Sequence, residues 1–174
     1  MRRLDTIKNP GPNILFIVFD QMRADALTGP LADTVDLPNF TQFKNESVNF
    51  LNHFSVTSPC GPARASLLTG QYAMNHRSIR NGTPLAHDTP NLALSLRHKG
   101  IEPLLYGYTD TSQDPRIYER NDPILTSYEE VLNGFTEVQE MRFDTNKSWK
   151  NYLKEKNYKF DELFEIFEPI NKKI

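Results

Sequence analysis

The chain has 174 residues, 20 Lys and Arg against 22 Asp and Glu, 38% hydrophobic residues and one Cys. This is the profile of an ordinary globular domain that builds a core without disulfides. A net charge of −2 with no dense basic block excludes a polyanion binder, so no nucleic acid is expected as a partner. The longest apolar run, Ile14 to Phe19, falls far short of the roughly 20 residues of a membrane-spanning helix. Arg2-Arg3 is followed by Asp5, Lys8, Asn9 and two prolines where a signal peptide would carry its apolar stretch. No membrane association and a cytoplasmic location are therefore expected.

In chain order, Asn13 to Phe19 is an unbroken, partly β-branched apolar run between Gly11-Pro12 and Asp20-Gln21, the pattern of a strand buried on both faces. Pro38, Phe40 and Phe43 predict a short helix, with Pro38 in its first turn. Ser47 to Phe54 reads as a second strand. Pro62 to Thr69 favours a helix stopped by Gly70, Asn91 to Lys99 predicts another, and Glu102 to Tyr108 a third strand. Strands separated by helices predict an α/β fold, a doubly wound, mostly parallel sheet with helices on both faces. The polar loops Ser78 to Pro90 and Thr109 to Pro123 lie beyond strand ends, where such folds carry function. In the segment 147–174, Phe160, Leu163, Phe164 and Phe167 recur at helical spacing and predict an amphipathic tail helix that docks on a core.

The strongest chemical signal is Cys60-Gly61-Pro62-Ala63-Arg64, followed by Ala65-Ser66-Leu67-Leu68-Thr69-Gly70. A lone Cys is most often a small buried hydrophobe. Pro and Arg two and four positions after the only Cys would coincide in about 0.4% of sequences of this composition. Cys60 lies just before a predicted helix, whose free N–H groups and positive dipole end attract anions. Arg64, one turn further, offers a permanently charged fork for the reactive group or an anionic oxygen. A Cys-based phosphatase loop would need Arg at position 66, which is Ser, and no Gly-Lys-Ser/Thr phosphate loop occurs.

Cys60-x-Pro62-x-Arg64 with Gly70 resembles the signature of the sulfatase family in the alkaline phosphatase superfamily. Pro12-Asn13, the apolar run and Asp20-Gln21-x-Arg23-x-Asp25 resemble that family's first strand and its metal-binding end. With Ser58-Pro59, Met74-Asn75-His76-Arg77 and Gly107-Tyr108-Thr109 added, the chain is most similar to the phosphonate monoester hydrolase and arylsulfatase branch, from about Asn13 to about Phe135.

The resemblance implies a metal-dependent hydrolase of phosphonate monoesters, phosphodiesters or sulfate esters, with Cys60 oxidised to formylglycine by a formylglycine-generating enzyme. One hydroxyl of the hydrated aldehyde attacks phosphorus or sulfur. The other then expels the bound phosphate or sulfate as the aldehyde re-forms. A divalent metal ion, manganese, calcium or magnesium, ionises the nucleophile. Cys60 and Arg64 are the implied catalytic residues, and Asp20, Gln21 and the modified Cys60 the implied metal ligands. Asn81 and Tyr108 are implied at the oxygens of a small anionic ester. In that branch a Thr follows the Tyr by two residues, whereas position 110 here is Asp. A carboxylate beside an anion site repels substrate or shifts its preference, and Thr109 or Thr111 is expected to replace the missing hydroxyl. His53, His76, His87 and His98 show no metal-site spacing and are assigned to packing or surface roles.

Members of the family are longer, and their second half supplies further metal ligands and the groups around the leaving group. The 174 residues are therefore expected to be the amino-terminal part of one sulfatase-type catalytic domain, inactive alone and forming a homo-oligomer when complete. The alternative is a degenerate fragment with a binding or regulatory role. A phosphotransferase of the wider superfamily ranks third, because it would carry Ser or Thr in place of Cys60.

Overall fold

The computed structural model describes residues 11–127, 129–142 and 146–160. The chain divides into two compact units, Met1–His53 and Phe54–Ile174.

The first unit contains two helices, α1 (Asp25–Thr28) and α2 (Pro38–Asn45). Pro38 begins α2, where its missing N–H leaves no bond unmade. The ring of Phe40 meets Phe19 edge to face, with centroids 5.2 Å apart. The apolar run before Phe19 departs from the sequence expectation. Ile14 to Phe19 forms no strand, and Ile14 and Leu15 are 86% and 84% exposed. Ser47 to Phe54 likewise forms no strand, and Val48 and Phe50 are exposed. Apolar, β-branched composition favours an extended backbone, but a strand exists only where a neighbour completes its ladder. Among the described residues the sheet has two strands, and neither run belongs to it.

The second unit contains α3 (Cys60–Thr69), α4 (Ala73–His76), α5 (Leu92–His98), β1 (Leu104–Gly107), β2 (Thr136–Glu140) and α6 (Lys147–Glu155). The predicted helices over 62–69 and 91–99 and the strand over 102–108 are present as α3, α5 and β1. Gly70 stops α3 in the left-handed region, φ 69°, and its N–H reaches the Ser66 carbonyl at 2.9 Å. Leu68 on α3 packs with Leu85 and Leu132, joined by the half-buried Phe135. Asn91 caps α5 by accepting from the Leu94 N–H at 3.0 Å, and its amide also donates to the Asn133 carbonyl at 3.1 Å. The backbone before β2 is thereby tied to α5. Gly134 sits in this close approach at φ 105°, where a Cβ would lie 2.9 Å from the Leu94 nitrogen. The predicted tail helix around Phe164 and Phe167 lies outside the described residues.

β1 and β2 pair in parallel, Leu104 opposite Thr136 and Gly107 opposite Glu140, with a register irregularity between Leu105 and Tyr106. Parallel neighbours require a long crossover, and here it carries the loop that begins at Thr109. The start of that loop is buried rather than splayed into solvent: Thr109, Asp110, Thr111, Ser112 and Asp114 are each at most 9% exposed. The Thr109 hydroxyl accepts from the Leu132 N–H at 2.7 Å and donates to the Glu130 carbonyl at 2.9 Å.

Arg142 fastens the end of β1. Its guanidinium donates to the Gly107 carbonyl at 3.1 Å and to Glu137 at 2.7 Å, and pairs with Glu130 at 3.4 Å. Burial, only partly offset by Arg142, pushes the Glu130 carboxyl up from its ordinary range. Removing the cation leaves the half-buried Glu130 carboxylate and the Gly107 carbonyl without this partner, so Arg142→Ala is expected to destabilise the protein by about 1–3 kcal/mol in denaturant unfolding.

A second buried polar contact joins α3 to α4. His76, 8% exposed, lies with Nε2 2.9 Å from the Ser66 hydroxyl, and its Nδ1 accepts from the Ser78 N–H at 3.1 Å. With Nδ1 accepting, the neutral ring carries its proton on Nε2 and donates to Ser66. Burial pushes the His76 pKa down. The unfolded chain then binds the proton more readily than the folded one. The stabilising contribution is full above about pH 6.5, the ordinary His value, and is lost as pH falls through the lowered folded value. His76→Gln is expected to flatten the acid side of the stability profile, measured by thermal unfolding from pH 7.5 downward.

Candidate active site

The site is built around the first turn of α3. Cys60 and Gly61 open the helix after Pro59, and Pro62 in this turn removes a donor that would have no helical partner. Asn81, from the loop after α4, bridges the turn. Its Oδ1 accepts from the Gly61 N–H at 2.9 Å, and its Nδ2 donates to Cys60 Sγ at 3.0 Å. The two bonds fix which end of the amide faces the sulfur. Gly61 makes the approach possible, because a Cβ there would lie 3.0 Å from Asn81 Oδ1 and 3.4 Å from the Asp110 carbonyl. Its role is visible only in three dimensions, since a glycine beside a reactive residue carries no signal of its own in the sequence.

Arg64, one turn along α3, donates to the Tyr108 carbonyl at 3.2 Å, and its guanidinium lies 4.7 Å from the centre of the Tyr108 ring. It therefore holds the end of β1 against the helix by a hydrogen bond and a cation–π contact. Four of the residues singled out from sequence, Cys60, Arg64, Asn81 and Tyr108, are gathered by these contacts. Asp20 and Gln21 belong to the first unit, where both are exposed in the turn before α1. Gln21 adopts φ 54°, a left-handed conformation that is uncommon for a residue other than Gly, Asn or Asp.

Asp110 completes the surroundings of Cys60. It is 7% exposed, has φ 57°, and neither carboxylate oxygen has a hydrogen-bond partner. Its charge is felt by the thiol even though the pair falls short of hydrogen-bond geometry. Burial above all, and Asp110 next, push the Cys60 thiol up from its ordinary value, while the bond from Asn81 works in the opposite direction. A thiol held protonated is a poor nucleophile. The expectation that Thr109 or Thr111 supplies the missing hydroxyl is not met. The Thr109 hydroxyl is held by Glu130 and Leu132, and that of Thr111 is buried beside it at 3.1 Å.

The chain matches the family described as Sulfatase over residues 12–169. It belongs to the sulfatase family. It is 42% identical over 131 residues to the multifunctional alkaline phosphatase superfamily protein PehA of Trinickia caryophylli, covering 72% of this chain and 26% of that protein. Among solved structures it is similar to phosphonate monoester hydrolase SpPMH from Silicibacter pomeroyi. There the TM-score is 0.81 at 55% identity, covering 94% of this chain and 32% of the other. The phosphonate monoester hydrolase of Agrobacterium radiobacter gives a TM-score of 0.70 at 45% identity, covering 79% and 27%. The chain thus spans about a quarter to a third of the relatives it matches. Its fold is that of the alkaline phosphatase-like sulfatases and phosphonate hydrolases, and β1, β2 and their flanking helices are a small parallel part of it.

Within this sulfatase chain the thiol environment has a direct consequence. In protein carrying unmodified Cys60, Asp110→Asn removes a negative charge that disfavours the thiolate. The Cys60 pKa is expected to fall and alkylation near pH 8 to become severalfold faster. The pH dependence of iodoacetamide labelling measures both.

Proposed function

We propose that the natural protein is a metal-dependent hydrolase of phosphonate monoesters, phosphodiesters or sulfate esters that uses a formylglycine derived from Cys60. The observation that carries this reading is the Asn81 bridge. One amide aligns the first turn of α3 through Gly61 and points its N–H at the Cys60 side chain. The sulfur stands in for a formylglycine oxygen, which the same N–H would bind. The raised thiol pKa supports the reading from the opposite side, because it argues against sulfur itself as the nucleophile.

The donor set suits a hard divalent cation. The Asp20 carboxylate, the Gln21 side-chain carbonyl and a formylglycine hydroxyl are all oxygens, the ligand type that manganese, calcium or magnesium takes. Among the described residues no group of three or more His, Cys, Asp or Glu side chains is gathered for a metal. Asp20 and Gln21 are two of the six or more ligands such an ion commonly takes, so the 174-residue chain alone is expected to turn over poorly.

When bound, a divalent cation lowers the pKa of the oxygen it holds. The chain's own residues do the rest. Asn81 orients the reactive oxygen through its N–H. Arg64 keeps Tyr108 at the edge of the site, from which the phenol can donate to an ester oxygen.

Production of the full natural protein together with a formylglycine-generating enzyme tests the proposal. Mass spectrometry of the Cys60 peptide is expected to show loss of sulfur and gain of a carbonyl oxygen. The modified protein is expected to hydrolyse aryl phosphonate monoesters and phosphodiesters, and sulfate esters less efficiently. Asn81→Ala should lower kcat by about 100-fold, the scale for one lost donor to developing charge. A peptide that keeps its thiol under these conditions overturns the mechanism. A strong preference for sulfate moves the substrate to the arylsulfatase class.

A further inference from the structure

Tyr108 follows Gly107, the last residue of β1, so the strand ladder does not itself place it. Gly107 has φ 111°, a region that residues with a Cβ rarely adopt, and nothing beyond its chain neighbours lies within 4 Å of where its Cβ would be. The joint has no packing of its own. A rotation there would carry the half-buried Tyr108 ring away from the site.

Hydrogen bonds to the two peptide planes that flank the Tyr108 Cα prevent this. In the plane before it, the Gly107 carbonyl accepts from Arg142 Nη1 at 3.1 Å. In the plane after it, the Tyr108 carbonyl accepts from Arg64 Nη1 at 3.2 Å, and the Thr109 N–H donates to the Glu130 carbonyl at 3.2 Å. Peptide planes are stiff and only φ and ψ of Tyr108 separate these two. Pinning both fixes the direction in which the side chain leaves the backbone. The Arg64 guanidinium, 4.7 Å from the ring centre, then holds the ring.

Arg142 is the anchor that no sequence motif announces. It is 7% exposed, and its Nη1 also donates to Glu137 at 2.7 Å while Nη2 pairs with Glu130 at 3.4 Å. Glu130 acts twice in this arrangement. Its carboxylate orients Arg142 before Tyr108, and its carbonyl takes the Thr109 N–H, and the Thr109 hydroxyl at 2.9 Å, after Tyr108. A planar guanidinium serves a carbonyl and two carboxylates in one fixed geometry, which a lysine ammonium cannot reproduce.

We infer that Arg142 is a positioning residue for the hydrolysis, fixing the Tyr108 phenol against the ester through the Gly107 peptide. The inference rests on the reading of Tyr108 as a donor to an ester oxygen. Arg142 acts only through Tyr108, so its effect on turnover must vanish when the phenol is removed.

A double-mutant cycle tests this in the full natural protein made with a formylglycine-generating enzyme, with an aryl phosphonate monoester as substrate. Arg142→Lys keeps a charge for the glutamates and loses the fork. It is expected to lower kcat/KM by about tenfold, as is Tyr108→Phe, the scale of one hydrogen bond to a charged oxygen. On the Tyr108→Phe background, Arg142→Lys is expected to change kcat/KM by less than about twofold, because a misplaced ring without its hydroxyl loses nothing more. An equal loss on both backgrounds, or no loss on either, overturns the positioning role and leaves that of Tyr108 standing. Full activity of Tyr108→Phe, or a wild type without turnover, overturns the functional reading and the inference with it. Fluorine NMR of the unmodified protein labelled with fluorotyrosine gives a readout without turnover, the Tyr108 resonance being the one lost in Tyr108→Phe. Arg142→Lys is expected to shift or broaden that resonance and to leave that of Tyr72, which precedes α4, in place. An unmoved Tyr108 resonance overturns the inference. If Arg142→Lys lacks a cooperative thermal transition, Arg142→Gln replaces it in every arm. If neither folds, Arg142 is a structural residue and the inference falls.

Discussion

The amide of Asn81 is the contact on which the site depends. It spans 20 positions of sequence to join the Gly61 N–H and Cys60 Sγ, and so makes the start of α3 and the loop after α4 a single object. A helix N-terminus alone offers unpaired donors to any passing anion. Here Asn81 takes up the Gly61 N–H and presents its own N–H to the Cys60 side chain, because an amide that accepts at one end presents its N–H at the other. The absence of a side chain at position 61 permits this approach.

Around that bridge the second unit is arranged as a set of positioning contacts. Arg64 reaches from α3 to the carbonyl and ring of Tyr108, and Arg142 reaches to the carbonyl of Gly107, the last residue of β1. Two cations thus hold neighbouring carbonyls at the carboxyl end of one strand, from opposite directions in sequence. Placing function at this end follows from parallel sheet geometry, where crossovers deliver their loops beyond the strand termini. The buried polar loop after Tyr108 is the cost of that arrangement. Its hydroxyls and carboxylates are inside: Thr109 is satisfied by the backbone of 130 and 132, Thr111 donates to the Thr109 carbonyl, Asp114 accepts from His87 and Arg116, and the Asp110 and Ser112 side chains have no hydrogen-bond partner.

The surroundings of Cys60 set the character of its thiol. Burial above all, and Asp110 next, raise it from its ordinary value against the bond from Asn81, and a thiol held protonated is a poor nucleophile.

Much of this was legible in the sequence. The Cys60-x-Pro62-x-Arg64 spacing located the start of a helix, because Pro in a first turn and Gly70 at the end are local signals that need no tertiary partner. Helices over 38–45, 60–69 and 92–98 were readable for the same reason. Strands were not equally readable. Asn13 to Phe19 and Ser47 to Phe54 have the composition of strands and are not strands among the described residues, because a strand is a relation between segments and its hydrogen bonds are made elsewhere in the chain. The role of Gly61 and the buried, unpartnered state of Asp110 were also decided only by tertiary structure. Sequence determined which chemical groups are available and which local turns they occupy. Distance, burial and the direction of an amide depend on residues 20 or more positions away, and only the folded chain brings those together.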